Sequence, residues 1–156
     1  MNKDVLSTLL AQELDFQFDK FNNDIAWKLG VLLTNSAKKD GSAVSIEIYA
    51  FGQTLFSYSL AGTSADNHTW VKRKRQSVLR FGHSSLYLSK YNELKGRDFE
   101  RLPHIDSKEY CVHGGAFPIR IKDSGLIGSI TVSGLSQQED HDLIIKNLNE
   151  LLSKEP

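Results

Sequence analysis

An α+β fold, an antiparallel sheet with helices on both faces, is what this sequence predicts, on three observations. Apolar residues recur with a period of two in two separate blocks, each folded back on itself by a glycine-bearing turn. Four other stretches carry apolar residues at helical spacing. The helices stand between and outside the hairpins instead of alternating with single strands, which excludes a doubly wound parallel sheet.

In chain order, residues 4–16 place Leu6, Leu9, Leu10 and Leu14 at helical spacing, a short terminal helix at the periphery of the domain or against a partner chain. Residues 20–38 form a second helix. Phe21, Ile25, Leu29, Leu32 and Leu33 make its apolar stripe, and Lys38, Lys39 and Gly41 supply the cations and the glycine that end it. Val44, Ile46 and Ile48 then alternate with Ser45, Glu47 and Tyr49. After Phe51-Gly52-Gln53 a second alternating run covers 55–60, completing an antiparallel hairpin.

A loop rich in capping residues leads into a long helix expected from about residue 66 to 88. Residues 90–106, broken by Gly96 and Pro103, read as irregular cover with a short helical turn. Strand resumes over 110–122, where Phe117, Ile119 and Ile121 alternate with Pro118, Arg120 and Lys122. Asp123-Ser124-Gly125 turns the chain into a partner strand over 126–133. Ser136 to Glu139 is a capping box for a last helix that buries Ile144, Leu148, Leu151 and Leu152.

A chain of 156 residues suits a single domain, residues 1–156, with 40% hydrophobic and 24% charged residues. Nineteen basic and nineteen acidic residues cancel, so bulk charge argues against nucleic acid and against a membrane surface as partner. The absence of a signal peptide or long apolar run points to a cytoplasmic location. Cys111 is the only cysteine, which excludes an intrachain disulfide and reads as a buried structural thiol.

The strongest candidate ligand site is His113 with Gly114 and Gly115. Paired glycines let another group approach backbone N–H donors, and the imidazole adds a donor or proton carrier. The same residues also suit a tight bulge whose glycines admit a packed helix. The start of the long helix is the second candidate, with Trp70 and Arg73 in the basic run 72–75. His83 stands eleven residues after Lys72, on the same helix face about 16 Å along the axis. His141, in the first turn of the last helix, completes the set, either facing an anion at the helix N-terminus or half-buried in the cap. No catalytic residue is assigned. No HExxH or paired His/Cys spacing supports a metal site, and no GxGxxG supports a dinucleotide.

Four segments together resemble the GlcG-like superfamily, often labelled haem-degrading or PduO C-terminal-like: FNNDIAWKLG at 21–30, the helix start at 70–75, HGGxFPI at 113–119 and SGLxQxEDH at 133–141. The resemblance implies a profilin-like fold with a five-stranded antiparallel sheet, and symmetric homo-oligomers. For some relatives it also implies haem or cobalamin binding. Relatives that ligate haem iron are expected to use a histidine of the first core helix. Residues 21–38 hold none, so haem is a weakened candidate cofactor here.

The expected function is that of an oligomeric small-ligand-binding protein. Two alternatives stand beside it. One is an enzyme on a small anionic metabolite, with His113 or His83 as general acid–base. The other is an oligomeric platform that recruits a partner protein through its amphipathic terminal helix or its basic helix.

Overall fold

The structure is a computed structural model that describes residues 3–154; residues 1–2 and 155–156 of the predicted domain lie outside the described residues. Ten elements follow one another: α1 (Lys3–Asp15), α2 (Asn23–Asp40), β1 (Ser45–Ala50), β2 (Gln53–Ser59), α3 (Ala65–Phe81), α4 (Ser85–Leu94), a 3-10 turn (Phe99–Arg101), β3 (Ala116–Ile121), β4 (Gly125–Ser133) and α5 (Gln137–Lys154). The strands form one antiparallel sheet in the order β2-β1-β4-β3.

The alternation in the sequence sorts the two faces of this sheet. Ile46, Ile48, Phe117, Ile119, Ile130 and Val132 point to one side, where Leu29 and Leu33 of α2 and Ile144 and Leu148 of α5 close a core with no solvent access to most of its side chains. The opposite side carries Ser45, Glu47, Ser129 and Thr131, all buried, and α3 packs across it. Glu47 is held there by Arg75, whose Nη1 donates to both carboxylate oxygens at 2.9 Å while the guanidinium lies 4.5 Å from the Tyr49 ring. A charged residue in the period-two run thus marks the α3 face.

The sheet has four strands, not the five that the resemblance implies. Where a fifth strand would lie beside β3, Phe18 alone makes a parallel bridge to Ile121. Its N–H donates to Arg120 and its carbonyl accepts from Lys122. Strand β3 also begins at Ala116 and not near residue 110. The preceding backbone gives its donors to side chains: Cys111 N–H bonds Ser77 Oγ and Gly114 N–H bonds Gln137 Oε1. No ladder forms where those donors are already committed.

The long helix expected over 66–88 is two helices. Gly82 ends α3 in the left-handed conformation with φ of 74°, its N–H returning to Val78, and Ser84 caps α4 by accepting from Tyr87 N–H at 3.2 Å. Lys72 and His83 therefore share no helix face. The capping box before α5 forms as expected: Glu139 N–H donates to Ser136 Oγ at 3.2 Å and Ser136 N–H to Glu139 Oε1 at 3.3 Å.

Helix α1 buries Leu9 and Glu13 and leaves Leu10 and Leu14 exposed, so its leucines do not form a single buried stripe. It is held by polar contacts instead. Glu13 accepts from His83 Nδ1 at 3.0 Å and Ser84 N–H at 3.2 Å, and Gln12 pairs with His141.

Gly30 lets α2 lie against β2, because a Cβ there would stand 2.4 Å from the Phe56 ring. The Gly30→Ala substitution is expected to destabilise by up to about 2 kcal/mol, since an overpacking cost of roughly 1–3 kcal/mol outweighs a helix-propensity gain of roughly 1 kcal/mol. Urea melts check this, and pairing it with Phe56→Leu should recover part of the loss.

Candidate ligand-binding site

Helices α3 and α5 lie on opposite faces of the sheet, yet both begin where β4 ends. Their first turns, the 133–135 segment and the 113–114 segment enclose a depression of about 310 Å³. Local sequence explains the arrangement. Ser64 and Asn67 cap α3 reciprocally and Ser136 with Glu139 caps α5, so both N-termini are fixed in direction. Two helix N-termini add positive potential to the space between them, set against the acidic Asp66, Glu139 and Asp140 of their first turns.

The floor is an ion pair. Lys74 Nζ donates to Asp140 Oδ2 and to the Val132 carbonyl, each at 3.0 Å, and the two side chains are 4% and 2% exposed. Asp140 also accepts from Leu135 N–H at 2.9 Å and Gly134 N–H at 3.3 Å. Burial pushes the Asp140 carboxyl up from its ordinary pKa, and Lys74 with the two backbone donors pulls the other way. An ammonium has three N–H donors. Two are committed here, and Lys74 is among the residues that line the depression.

The rim is aromatic. Trp70 and His113 meet edge to face, with centroids 4.8 Å apart. Arg73 does not line the depression. Its guanidinium packs 4.6 Å from the Trp70 ring and is tied to the Ser107 carbonyl and Glu100, both at 3.0 Å. Desolvation beside Trp70, reinforced by Lys74 and Arg73 and opposed by Glu100, lowers the His113 pKa. Near neutral pH its ring is thus uncharged, with one N–H to donate and one lone pair to accept.

The two glycines make room for neighbouring groups, and the Gly114 N–H is already committed. Gly114 gives its N–H to Gln137, and a Cβ on it would stand 2.6 Å from the Gln137 carbonyl. Gly115 has φ of +127°, and a Cβ would meet the Val132 carbonyl at 2.5 Å and Lys74 Nζ at 2.8 Å. The pair makes room for the α5 N-terminus and for the buried ammonium.

The profile of a family described as "Haem degrading protein HbpS-like" matches residues 21–149. The chain belongs to the HbpS-like family. A UPF0303 protein of Psychromonas ingrahamii is 56% identical over 94% of this HbpS-like chain and 92% of its own. The solved structure of Ybr137w superposes with a TM-score of 0.89 at 31% identity, over 97% of this chain and 90% of that one. A structure described as a PduOC:Heme complex superposes with a TM-score of 0.71 over 83% of this chain and 93% of that one. Its identity is 18%, a likeness of fold alone.

The remaining expected residues lie elsewhere in this HbpS-like chain. His83 lines a separate depression with Glu13 and Arg120, so it is not brought to His113. His141 is not half-buried but fully buried. Its Nε2 lies 2.8 Å from Gln12 Oε1, its ring is 6.0 Å from Phe117, and burial lowers its pKa to about 4. It is a core residue that ties α1 to α5. Cys111 has no exposure, and burial raises its thiol pKa. Among the described residues no group of three or more His, Cys, Asp or Glu is placed to hold a metal ion.

His141 carries a pH prediction. Its folded pKa of about 4 lies below the ordinary 6.5, so the unfolded chain takes up the proton first as pH falls. Stability should decline from pH 6.5 towards pH 4 by up to about 3 kcal/mol from this group. Chemical melts across that window should show a shallower decline in His141→Gln.

Sequence reasoning missed Lys74 and Asp140 as site residues. A usable signal was present. Lys74 falls between Val71 and Val78 at helical spacing, and Asp140 is four residues before Ile144, so both sit on buried stripes where a charge needs a partner.

Proposed function

We propose that this HbpS-like chain binds a small anionic metabolite in the depression between the N-termini of α3 and α5. The observation that carries the reading is the convergence of a neutral imidazole, an aromatic wall and a buried ammonium on a single space of about 310 Å³. That volume is at the small end of the roughly 300–1,000 Å³ range of ligand sites.

The family's description raises haem, and the residues of this depression do not fit it as a buried group. Haem iron takes histidine, cysteine, methionine or tyrosine, and α2 has none of these. The depression offers His113 as its one such side chain, lined otherwise mainly by Asp66, Asn67, Ser133 and Gln137, a polar surface too confined for a macrocycle. A second reading has His113 as general acid–base on the same metabolite, supported by its lowered pKa.

The reading takes residues 1–156 as one cytoplasmic domain with α1 at its periphery. No helix among the described residues is long and apolar enough to cross a membrane. It also takes the chain as a homo-oligomer, supported by the exposed Trp27 and Tyr58 beside the sheet-edge strand β2.

Thermal melts with a panel of small carboxylates and phosphates test the reading. A ligand present at a hundred times its Kd stabilises by about 2.7 kcal/mol, a rise of roughly 5–10 °C in Tm for a domain of this size. The rise should vanish in His113→Ala. No rise with any member of the panel, or an equal rise in the variant, would contradict it.

A further inference from the structure

A second depression, of about 550 Å³, opens between α1 and the β3–β4 hairpin. Leu10 and Leu14 of α1 and Ile121 of β3 line one part, and Leu14 is 70% exposed. His83 and Arg120 line the other. Nothing in the account of the first site uses these residues.

The polar end is built. Glu13 is 6% exposed and accepts from both His83 Nδ1 and Ser84 N–H, so its charge is spent within the wall and the imidazole is fixed in orientation with Nε2 uncommitted. Arg120 donates one N–H to the Gly82 carbonyl, at the turn that carries His83. Among the described residues no carboxylate lies within ion-pair distance of it, so its charge is unneutralised and four further N–H donors remain. A guanidinium in that state matches a carboxylate, which it can grip with two N–H groups. Exposed Asp123 stands close by and disfavours a doubly charged phosphate more than a single carboxylate.

We propose that this groove binds an amphiphilic monocarboxylate, its carboxylate on Arg120 and its alkyl chain along Leu10, Leu14 and Ile121. Charge complementarity fixes the head group, and the adjoining exposed leucines fix the tail, because each methylene they cover leaves water.

Calorimetric titration with straight-chain carboxylates from butanoate to dodecanoate tests this. Affinity should rise several-fold for each pair of added methylenes until the groove is filled. Arg120→Gln should weaken binding at least tenfold at every length. Leu14→Asp, at an exposed position that leaves folding intact, should remove the gain with chain length. His113→Ala should change nothing, which separates this site from the first. The proposal is overturned if alkanols of equal length bind as well as the acids, or if no carboxylate saturates the protein. It is also overturned if Leu14→Asp lowers the mass measured by light scattering, since the groove would then be covered by a second copy.

Discussion

Lys74→Met is expected to lower folding stability by about 3–5 kcal/mol, the usual cost of stripping a buried charge of its partner. Methionine keeps most of the stem and loses the ammonium. Asp140, 2% exposed, would then hold its charge with only the Gly134 and Leu135 N–H groups for support. Its pKa is already raised by burial, and Lys74 is the first of the influences holding it down. Removing Lys74 lets it climb further, so the variant's deficit should shrink as pH falls and the carboxyl protonates. The companion change tests the cause. Asp140→Asn keeps an oxygen for the two N–H groups and removes the charge, so Lys74→Met with Asp140→Asn should be more stable than Lys74→Met alone. Additive losses in the double-mutant cycle would show that the pair is not coupled. Urea melts at neutral and mildly acid pH provide both readings.

Gly115→Ala should be nearly as damaging, by about 2–5 kcal/mol. Two effects combine. A φ of +127° is strained for any L-residue with a Cβ, and that Cβ would lie 2.5 Å from the Val132 carbonyl and 2.8 Å from Lys74 Nζ. The Val132 carbonyl is the same oxygen that accepts from Lys74, so relief of the clash must move the ion pair. Gly114→Ala meets the Gln137 carbonyl at 2.6 Å without a positive φ, and should cost less. Comparing the two variants by chemical denaturation checks the order.

Much of the fold was legible because its signals are local. The alternation of Ile46 and Ile48 with Ser45 and Glu47 set the face of β1, and Ser136 with Glu139 set the start of α5. The break of the long helix was harder to read, since Gly82 inside a helical pattern is tolerated until His83 and Ser84 are committed to Glu13, seventy residues away in sequence. The late start of β3 has the same origin. Backbone donors at Cys111 and Gly114 are taken by Ser77 and Gln137, partners that local spacing does not announce.

The candidate site was legible in part for the same reason. The glycine pair, through its rarity, and Trp70, through its position ahead of a basic run, both pointed to the ends of one depression lined by Gly114, His113 and Trp70. Which member of that run turns inward depends on α3 packing over the sheet. It is Lys74, while Arg73 turns to Glu100 and Arg75 to Glu47. The sequence placed His141 at the cap and at most half-buried, whereas its full burial follows from the helical phase it shares with Ile144 and Leu148.

The central claim is that a small anion occupies the space bounded by His113, Trp70 and Lys74. The most direct measurement is a nuclear magnetic resonance titration that follows the His113 imidazole and the two tryptophan indole N–H signals as the most stabilising carboxylate or phosphate is added. Trp27, 63% exposed on α2, serves as the internal reference. The account predicts saturable shifts at His113 and Trp70 with a single Kd and none at Trp27. Saturable binding that leaves His113 and Trp70 unmoved would contradict it.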